Sequence, residues 1–326
     1  MAGAGGAQVT AKAPLRLGTR KSPMAVTQSQ MVADLITERT GRAVELTGIT
    51  TFGDVSQAQI AQIGGTGVFV SGLRKGLLAG EIDLAVHSLK DLPTGQPDGI
   101  DLAAIPGRDD PRDALVARDG AKLADLPRGA RIGTGSPRRA AQLLLLRPDV
   151  CPVPVRGNAG TRLGRIDSGE VDAVVLAYAG LARIGRLDAV TQIFEPEEML
   201  PAPGQGALAV ECRSDHRELV ALLAGIDDPT SRAAVTAERS LLAALEAGCS
   251  APVGGYAAGT DGLRLHAIVV AADGESALRA SAGGPAAEAD RLGREVAAEL
   301  LRRGAGRYTA VSAEMAGHIS DGDDAQ

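Results

Sequence analysis

The chain has 326 residues, a formal net charge of −6, 44% hydrophobic residues and only 2% aromatic ones. That length predicts two or three domains of roughly 100 to 150 residues, each able to bury its own core. The negative balance and scarcity of aromatic faces speak against general nucleic-acid binding. Any anion site must therefore be local.

The opening "MAGAGGAQVTAKAP" has no basic region followed by an apolar core. No later stretch reaches the about 18 uninterrupted apolar residues of a membrane span. The expectation is a cytoplasmic protein with no membrane association. Residues 1–14 and 319–326 are small, polar or acidic and read as disordered ends. The three cysteines, Cys151, Cys212 and Cys249, form no CxxC pair. Neither a disulfide framework nor a zinc site is suggested, and a reducing compartment fits.

The first pattern, "PLRLGTRKSPMAVTQSQMVADLITERTG" (14–41), reads as a strand, a Gly-Thr turn and a helix. Ser22 is its N-cap, Pro23 its first helical residue and Gly41 its stop. A strand at 43–50, a Gly-rich loop at 64–67, a helix through Leu73, Leu77 and Leu78, and the strand "IDLAVHS" (82–88) follow. Alternating strands and helices predict an α/β fold with a mostly parallel sheet.

The plan restarts at "ARIGTGSPRRAAQLLLLRPD", with Ser136 as N-cap and Pro137 at the first helical position. A strand at 153–155, the loop "RGNAGTR" (156–162), a short helix ending at Gly169 and the strand "VDAVVLAYA" (171–179) make a second α/β unit. Crossings near 107–112 and 200–206 imply a two-lobed clamp with ligand between the lobes. The strand "GALAVECR" (206–213) would return to the first sheet. A helix from Asp228–Pro229 to about Ala247, with Leu241, Leu242 and Leu245 on one stripe, the alternating "RLHAIVVA" (264–271) and a last helix at about 286–302 form a smaller third domain. The expected division is 15–106 plus 207–224, then 112–200, then 229–318.

The two Ser-Pro helix starts offer backbone N–H groups and a positive helix end, serving either as plain caps or as anion sites. Arg20 and Lys21 flank the first, Arg138 and Arg139 the second. Arg156, Arg162, Arg165 and Arg183 fall near loop or helix ends, where arginine's planar fork suits carboxylate or phosphate. In an acidic chain, such a cluster implies a polyanionic small ligand.

"VHSLKDLPT" (86–94) sets His87, Ser88, Lys90 and Asp91 at one strand end, where open α/β sheets place ligands. Asp91 suits proton transfer or stabilisation of a cationic intermediate, with Lys90 influencing its pKa. An ordinary Lys-Asp turn remains open. Gln205, between two glycines of "LPAPGQGALAVECR", is expected to face the cleft. Cys249, in "EAGCSAPVGGY" (246–256), sits on a turn rather than an apolar helix face. It reads as a core thiol, a nucleophile with His87 as base, or a covalent attachment point.

The stretches "RLGTRKSPMAVTQ", "GDVSQAQIAQIGGTGVF", "IDLAVHSLKDLPT", "RDDPRDALV", "IGTGSPRRAAQL", "VRGNAGTRLGRIDSGEVDAVVLAYAGLARIG", "LPAPGQGALAVECR" and "TAERSLLAALEAGCSAPVGGYA" resemble, in order, the hydroxymethylbilane synthase (porphobilinogen deaminase) family. The resemblance spans about residues 15–256. It implies three α/β domains, the first two like type II periplasmic binding protein lobes and the third small, with an antiparallel sheet. It implies a transferase that condenses four porphobilinogen molecules, with loss of ammonia, onto an enzyme-bound dipyrromethane primer and releases the linear tetrapyrrole.

On the resemblance, Cys249 carries that cofactor through a thioether and Asp91 is the catalytic acid. Lys90, Ser136, Arg138, Arg139, Arg156, Gly157, Asn158 and Thr161 hold the cofactor. Arg20, Ser22, Ser88, Arg162, Arg183 and Gln205 hold the substrate. No metal is expected, and the protein is expected to act as a monomer on a small-molecule substrate. The chain departs from the family in the loop thought to cover the site, with Gln62 and Thr66 where many members have lysines, and Ser71 and Gly72 in place of Lys-Glu. The competing reading is a non-catalytic two-lobed protein that holds a small anion.

Overall fold

A computed structural model describes residues 13–49, 67–247 and 251–308. The expected disordered ends therefore lie largely outside the described residues, as do residues 50–66, which include Gln62, Thr66 and most of the expected Gly-rich loop, and residues 248–250, where a turn holding Cys249 is expected.

The first sheet holds β1 (Leu15–Thr19), β2 (Val44–Gly48), β3 (Leu84–Ser88), β4 (Ile100–Ala104) and β10 (Leu208–Arg213), in the order β2-β1-β3-β10-β4. The second holds β5 (Asp113–Ala117), β6 (Arg131–Gly133), β7 (Cys151–Val153), β8 (Ala173–Ala177) and β9 (Gln192–Phe194), in the order β7-β6-β8-β5-β9. The two orders are the same plan. In each, the first three strands are parallel.

The sheets are mostly parallel, as expected: four strands of each share one direction and a single strand is reversed. β10 runs antiparallel to β3 and β4, and β5 antiparallel to β8 and β9. The cause is the crossings. β10 begins with Leu208 opposite Ser88, the last residue of β3, and β5 begins with Asp113 opposite Ala177, the last residue of β8. A strand entering from a crossing at the carboxyl ends of its neighbours must run back against them. Both crossings thus meet where α/β sheets place their sites.

Helices α1 (Pro23–Thr40), α2 (Gly67–Leu78), α3 (Pro137–Leu146), α4 (Ala159–Asp167) and α5 (Tyr178–Arg183) cover these sheets, and α6 (Arg217–Leu223) follows β10. Both Ser-Pro starts form as expected. The Ser22 hydroxyl accepts from Ala25 N at 3.3 Å and the Ser136 hydroxyl from Arg139 N at 3.4 Å. Gly41 closes α1 with φ at 69°, a left-handed turn that a β-carbon would strain.

Several boundaries shift. β7 runs over Cys151–Val153 where the pattern predicted strand at 153–155, and past Val153 only a long bond from Val155 N to the Thr134 carbonyl at 3.4 Å remains. β8 stops at Ala177 and the chain turns at once into α5, where the pattern predicted strand to 179. Leu73 and Leu77 are buried but Leu78, the last residue of α2, is 54% exposed.

The third unit is an antiparallel meander of β11 (Val253–Ala258), β12 (Leu263–Val270) and β13 (Ala277–Gly284), packed against α7 (Pro229–Ala244) and α8 (Ala289–Arg302). Asp228 caps α7, its carboxylate accepting from Ser231 N at 2.7 Å. A β-carbon on Gly293 would stand 2.4 Å from the Ala237 carbonyl oxygen, so glycine there sets the close approach of α7 and α8. Ile268 and Val270 meet Ala141 of α3 and Leu200 of the second crossing, which joins this unit to the second sheet.

Candidate active site

Strand β3 delivers the acid. Its last residue, Ser88, leads into a single 3-10 turn, Leu89–Asp91. Leu89 is fully buried and its N–H donates to the Ala207 carbonyl at 3.0 Å, while Leu92 is buried on the other side. Asp91, between these two anchors, is exposed. The local alternation holds the backbone and leaves the carboxylate facing outward.

Across the crossings, α3 delivers two cations in its first turn. Arg138 and Arg139 are 3% and 5% exposed. Two guanidiniums at the positive end of a helix need a buried counter-charge, and Asp113, the first residue of β5, supplies it. Arg138 NH1 lies 2.7 Å from Asp113 Oδ2, and Arg139 NH2 lies 2.8 Å from Oδ1. Burial opposes ionisation of Asp113, but the charges of the two arginines overcome it and hold the carboxyl far below its ordinary range.

Gln205 joins the two sides. Its Nε2 donates to Asp113 Oδ1 at 2.8 Å and to the Pro111 carbonyl at 2.7 Å. Its Oε1 accepts from Lys90 Nζ at 3.2 Å and from Arg139 NH2 at 3.3 Å. The expectation that Gln205 faces the cleft is corrected: its exposure is 0%, because both ends of the amide are held by buried groups. Burial, then the nearby Arg139, push the Lys90 ammonium down from 10.5 to about 8. Arg162 is lowered for the same two reasons, so it shares this positive field.

The remaining arginines divide. Arg183 donates to Asp109 Oδ2 at 2.9 Å and to the Gly206 carbonyl at 2.8 Å, which braces both crossings. Arg165 pairs with Glu170 on the exposed surface and leaves the cluster. Arg156 and Gly157 stand exposed at the rim. Asn158 caps α4, its Oδ1 accepting from Thr161 N at 2.9 Å and from the Thr161 hydroxyl at 3.1 Å. Arg20 and Ser22 sit half-buried at the start of α1, and Ser88 half-buried at the end of β3.

His87 does not join Ser88, Lys90 and Asp91. It is 7% exposed, with Nε2 3.2 Å from Glu211 Oε2. Glu211 also takes a bidentate pair from Arg74 of α2, at 2.6 and 3.0 Å. Burial raises the Glu211 carboxyl, but His87 and Arg74 bring it down to about 2. Strand alternation turns His87 away from Ser88 and toward Glu211. Cys212 is fully buried, and burial and then the nearby Asp101 and Glu211 push its thiol up to about 11.

Three residues escaped the sequence reading. Asp113 was signalled only by a charge at the head of an apolar strand, "DALVA". Arg108 and Glu238 form a buried bidentate pair at 2.7 and 3.0 Å. Arg108 also donates to the Gln205 carbonyl, and Glu238 accepts from Gly204 N and Ala257 N, so the pair ties both crossings to the third unit. No local pattern marks a pair 130 residues apart.

Two matched lobes with a buried cation cluster and an exposed acid at their junction define an anion-handling clamp with the means for acid catalysis. Residues 15–221 match the family model described as porphobilinogen deaminase, dipyromethane cofactor binding domain, and residues 232–302 match the porphobilinogen deaminase C-terminal domain. Similar curated proteins include porphobilinogen deaminase of Thermobifida fusca (strain YX), 59% identical with 92% of this chain and 97% of that one covered. Another is porphobilinogen deaminase 1 of Streptomyces coelicolor, 58% identical, with 89% and 96% covered. Among solved structures, a TRAP periplasmic solute binding protein from Desulfovibrio salexigens is 12% identical, with 66% and 72% covered and a TM-score of 0.40. Immunogenic lipoprotein A from Vibrio vulnificus is 14% identical, with 67% and 96% covered and a TM-score of 0.40.

The chain belongs to the porphobilinogen deaminase family. It is a transferase, and dipyrromethane is its cofactor. The non-catalytic anion-binding alternative is not favoured, since the family match extends through the third unit.

Proposed function

We propose that the clamp performs the hydroxymethylbilane synthase reaction with Asp91 as its acid and the buried cations as its carboxylate holders. Four porphobilinogen molecules are condensed in turn with loss of ammonia, and the linear tetrapyrrole is released by hydrolysis. Asp91 protonates the departing amine and faces the positive charge that develops at the carbon left behind.

The observation that carries this reading is a charge surplus. Lys90, Arg138, Arg139 and Arg162 share one field with a single buried carboxylate, Asp113, among the groups that perturb them. Burial disfavours the charged forms of Lys90, Arg138 and Arg162 and lowers all three. Anionic ligand groups relieve that cost. The residues present therefore fit dipyrromethane, whose pyrroles bear carboxylates, and Arg156 with the N-terminus of α4 adds a rim for further units. When bound, the cofactor supplies the pyrrole carbon from which the chain is extended. Cys249 is the proposed attachment atom, and it lies outside the described residues.

Arg20, Ser22 and Ser88 form the lobe-one wall for the incoming substrate, and Ser136 sets the start of α3 that aims the arginines. Gln205 and Arg183 act by holding the crossings. The protein is taken as a cytoplasmic monomer acting on a small molecule; sedimentation at twice the chain mass would refute the monomer. Among the described residues no helix is long and apolar enough to cross a membrane, and no cluster of side chains could hold a metal ion.

Intact-mass measurement of the purified protein tests the assignment. A mass increase of two linked pyrroles that maps to Cys249, with a colour reaction to Ehrlich's reagent, is expected. An active protein with unmodified, alkylatable Cys249 overturns it.

A further inference from the structure

Asp113 does more than neutralise two arginines. A carboxylate needed only for charge balance would require no amide beside it, yet Gln205 donates to it at 2.8 Å while buried at 0% exposure. That bond fixes which way the amide points. With Nε2 held by Asp113 and Pro111, Oε1 is turned toward Lys90 and Arg139. The reverse orientation would press an NH2 group against two cations.

The lobe duplication provides an internal control. Asp113 pairs with Ala177 at the end of β8, and the equivalent place in the first sheet, opposite Ser88 at the end of β3, is held by Leu208. The sheet architecture accepts a leucine there. The carboxylate in the second lobe is therefore tied to what it touches rather than to the fold.

We propose that Asp113 is a positioning residue of the reaction: by orienting Gln205 it keeps Lys90, in the acid-bearing turn, in register with the Arg138–Arg139 pair across the crossings. The proposal rests on the reading of Lys90, Asp91 and the arginines as the active site. It adds that the two halves of the site are geometrically coupled before substrate arrives, so each carboxylate bound by the arginines meets Asp91 at a fixed offset.

The groups facing Lys90 include Asp91 on its own turn, Asp113 on β5, Arg138 and Arg139 on α3, and Gln205 on the second crossing. Asp91 and Asp113 favour its cation, whereas burial and the arginines oppose it. Removing the charge of Asp113 leaves the arginines unopposed, and Lys90 then loses its proton at lower pH. Removing Gln205 withdraws an acceptor from the ammonium and acts in the same direction.

The test compares primer-loaded Asp113→Asn, Gln205→Met and the double variant across pH, with primer loading checked by intact mass. The expected result is a kcat reduced about tenfold or more with a smaller change in KM, an alkaline limb moved to lower pH in both single variants, and a double variant little worse than the poorer single. Parent kcat and limb in Gln205→Met overturn the proposal. So does an equal loss at every pH that is additive in the double variant, which is what a purely structural role gives. If Asp113→Asn fails to fold, Gln205→Met decides alone, since it leaves Asp113 and its two arginines in place. Normal turnover in Asp91→Asn would instead overturn the underlying site reading, so the two failures are distinguishable.

Discussion

The two lobes repeat one another down to single hydrogen bonds, and then diverge where the chemistry lies. Arg16 N donates to Asp83 Oδ2 at 2.8 Å in the first, and Arg131 N to Asp172 Oδ2 at 2.7 Å in the second. In return Asp83 N and Asp172 N each donate to the arginine carbonyl at 2.8 Å. From those shared aspartates, "DLAVHSLKDL" runs into a 3-10 turn with Lys90 and Asp91, whereas "DAVVLAYAGL" runs into α5 with Ala179 and Gly180 at those places. The helix starts diverge the other way. Ser-Pro is followed by Met24 and Ala25 in the first lobe and by Arg138 and Arg139 in the second. The first lobe holds Asp91 and Lys90 and the second the Arg138–Arg139 pair, so on the proposed reading neither contains a complete site.

The largest effect expected from breaking this division is at the acid. Asp91→Asn should lower steady-state turnover by about a hundredfold or more while the loaded primer persists in the intact mass. Near-normal turnover would remove Asp91 from its role.

Next is the cation side. Arg139→Leu leaves Asp113 with a weakened counter-charge in a site of 0% exposure, and about 3–5 kcal/mol of stability should be lost in urea unfolding, together with failed primer loading. Met24→Leu, at the first-lobe place that duplicates the neighbouring Arg138, should cost less than about 1.5 kcal/mol. Equal costs would mean that the asymmetry between lobes is only chemical and not energetic.

A smaller effect separates the lobes by pH. The cation of Lys90 is disfavoured in the folded protein, with a value of about 8 against 10.5 when unperturbed. The unfolded chain therefore holds the proton more tightly, and stability of the primer-free protein should rise between pH 8 and 10.5. Lys90→Met should flatten that rise in a urea-denaturation series, and a rise that survives the substitution assigns it elsewhere. The smallest effect is the shared one: Ser22→Ala and Ser136→Ala each should cost about 1 kcal/mol, since both hydroxyls make the same cap.

Much of this was legible in the sequence because it is short-range. Ser-Pro caps at Ser22 and Ser136 are written within four residues, and each forms as read. Asp91 could be placed at a strand end from the apolar run before it, and the duplication showed in two matching segments. The third unit's β12 announced itself through alternation at 264–271. What could not be read were properties of pairs distant in the chain. Arg138 and Arg139 read as basic side chains flanking a helix start, and nothing nearby in the chain showed that both are buried against Asp113, 26 residues from Arg139. Arg165 looked like a member of the same cluster, and its helix turns it to Glu170 on the surface.

By itself, then, the sequence determined the capped helix starts at Ser22, Ser136 and Asp228, the two-lobed plan and the types of group the site contains, because capping, periodicity and turn chemistry act over a few residues. Only the tertiary structure decided that β5 and β10 run backward, that Gln205 is a buried bridge rather than a cleft wall, and that Arg183 and the Arg108–Glu238 pair hold the crossings. Those outcomes depend on which distant strands meet at the crossings and on which charges must find partners once water is excluded, and neither leaves a mark in local spacing.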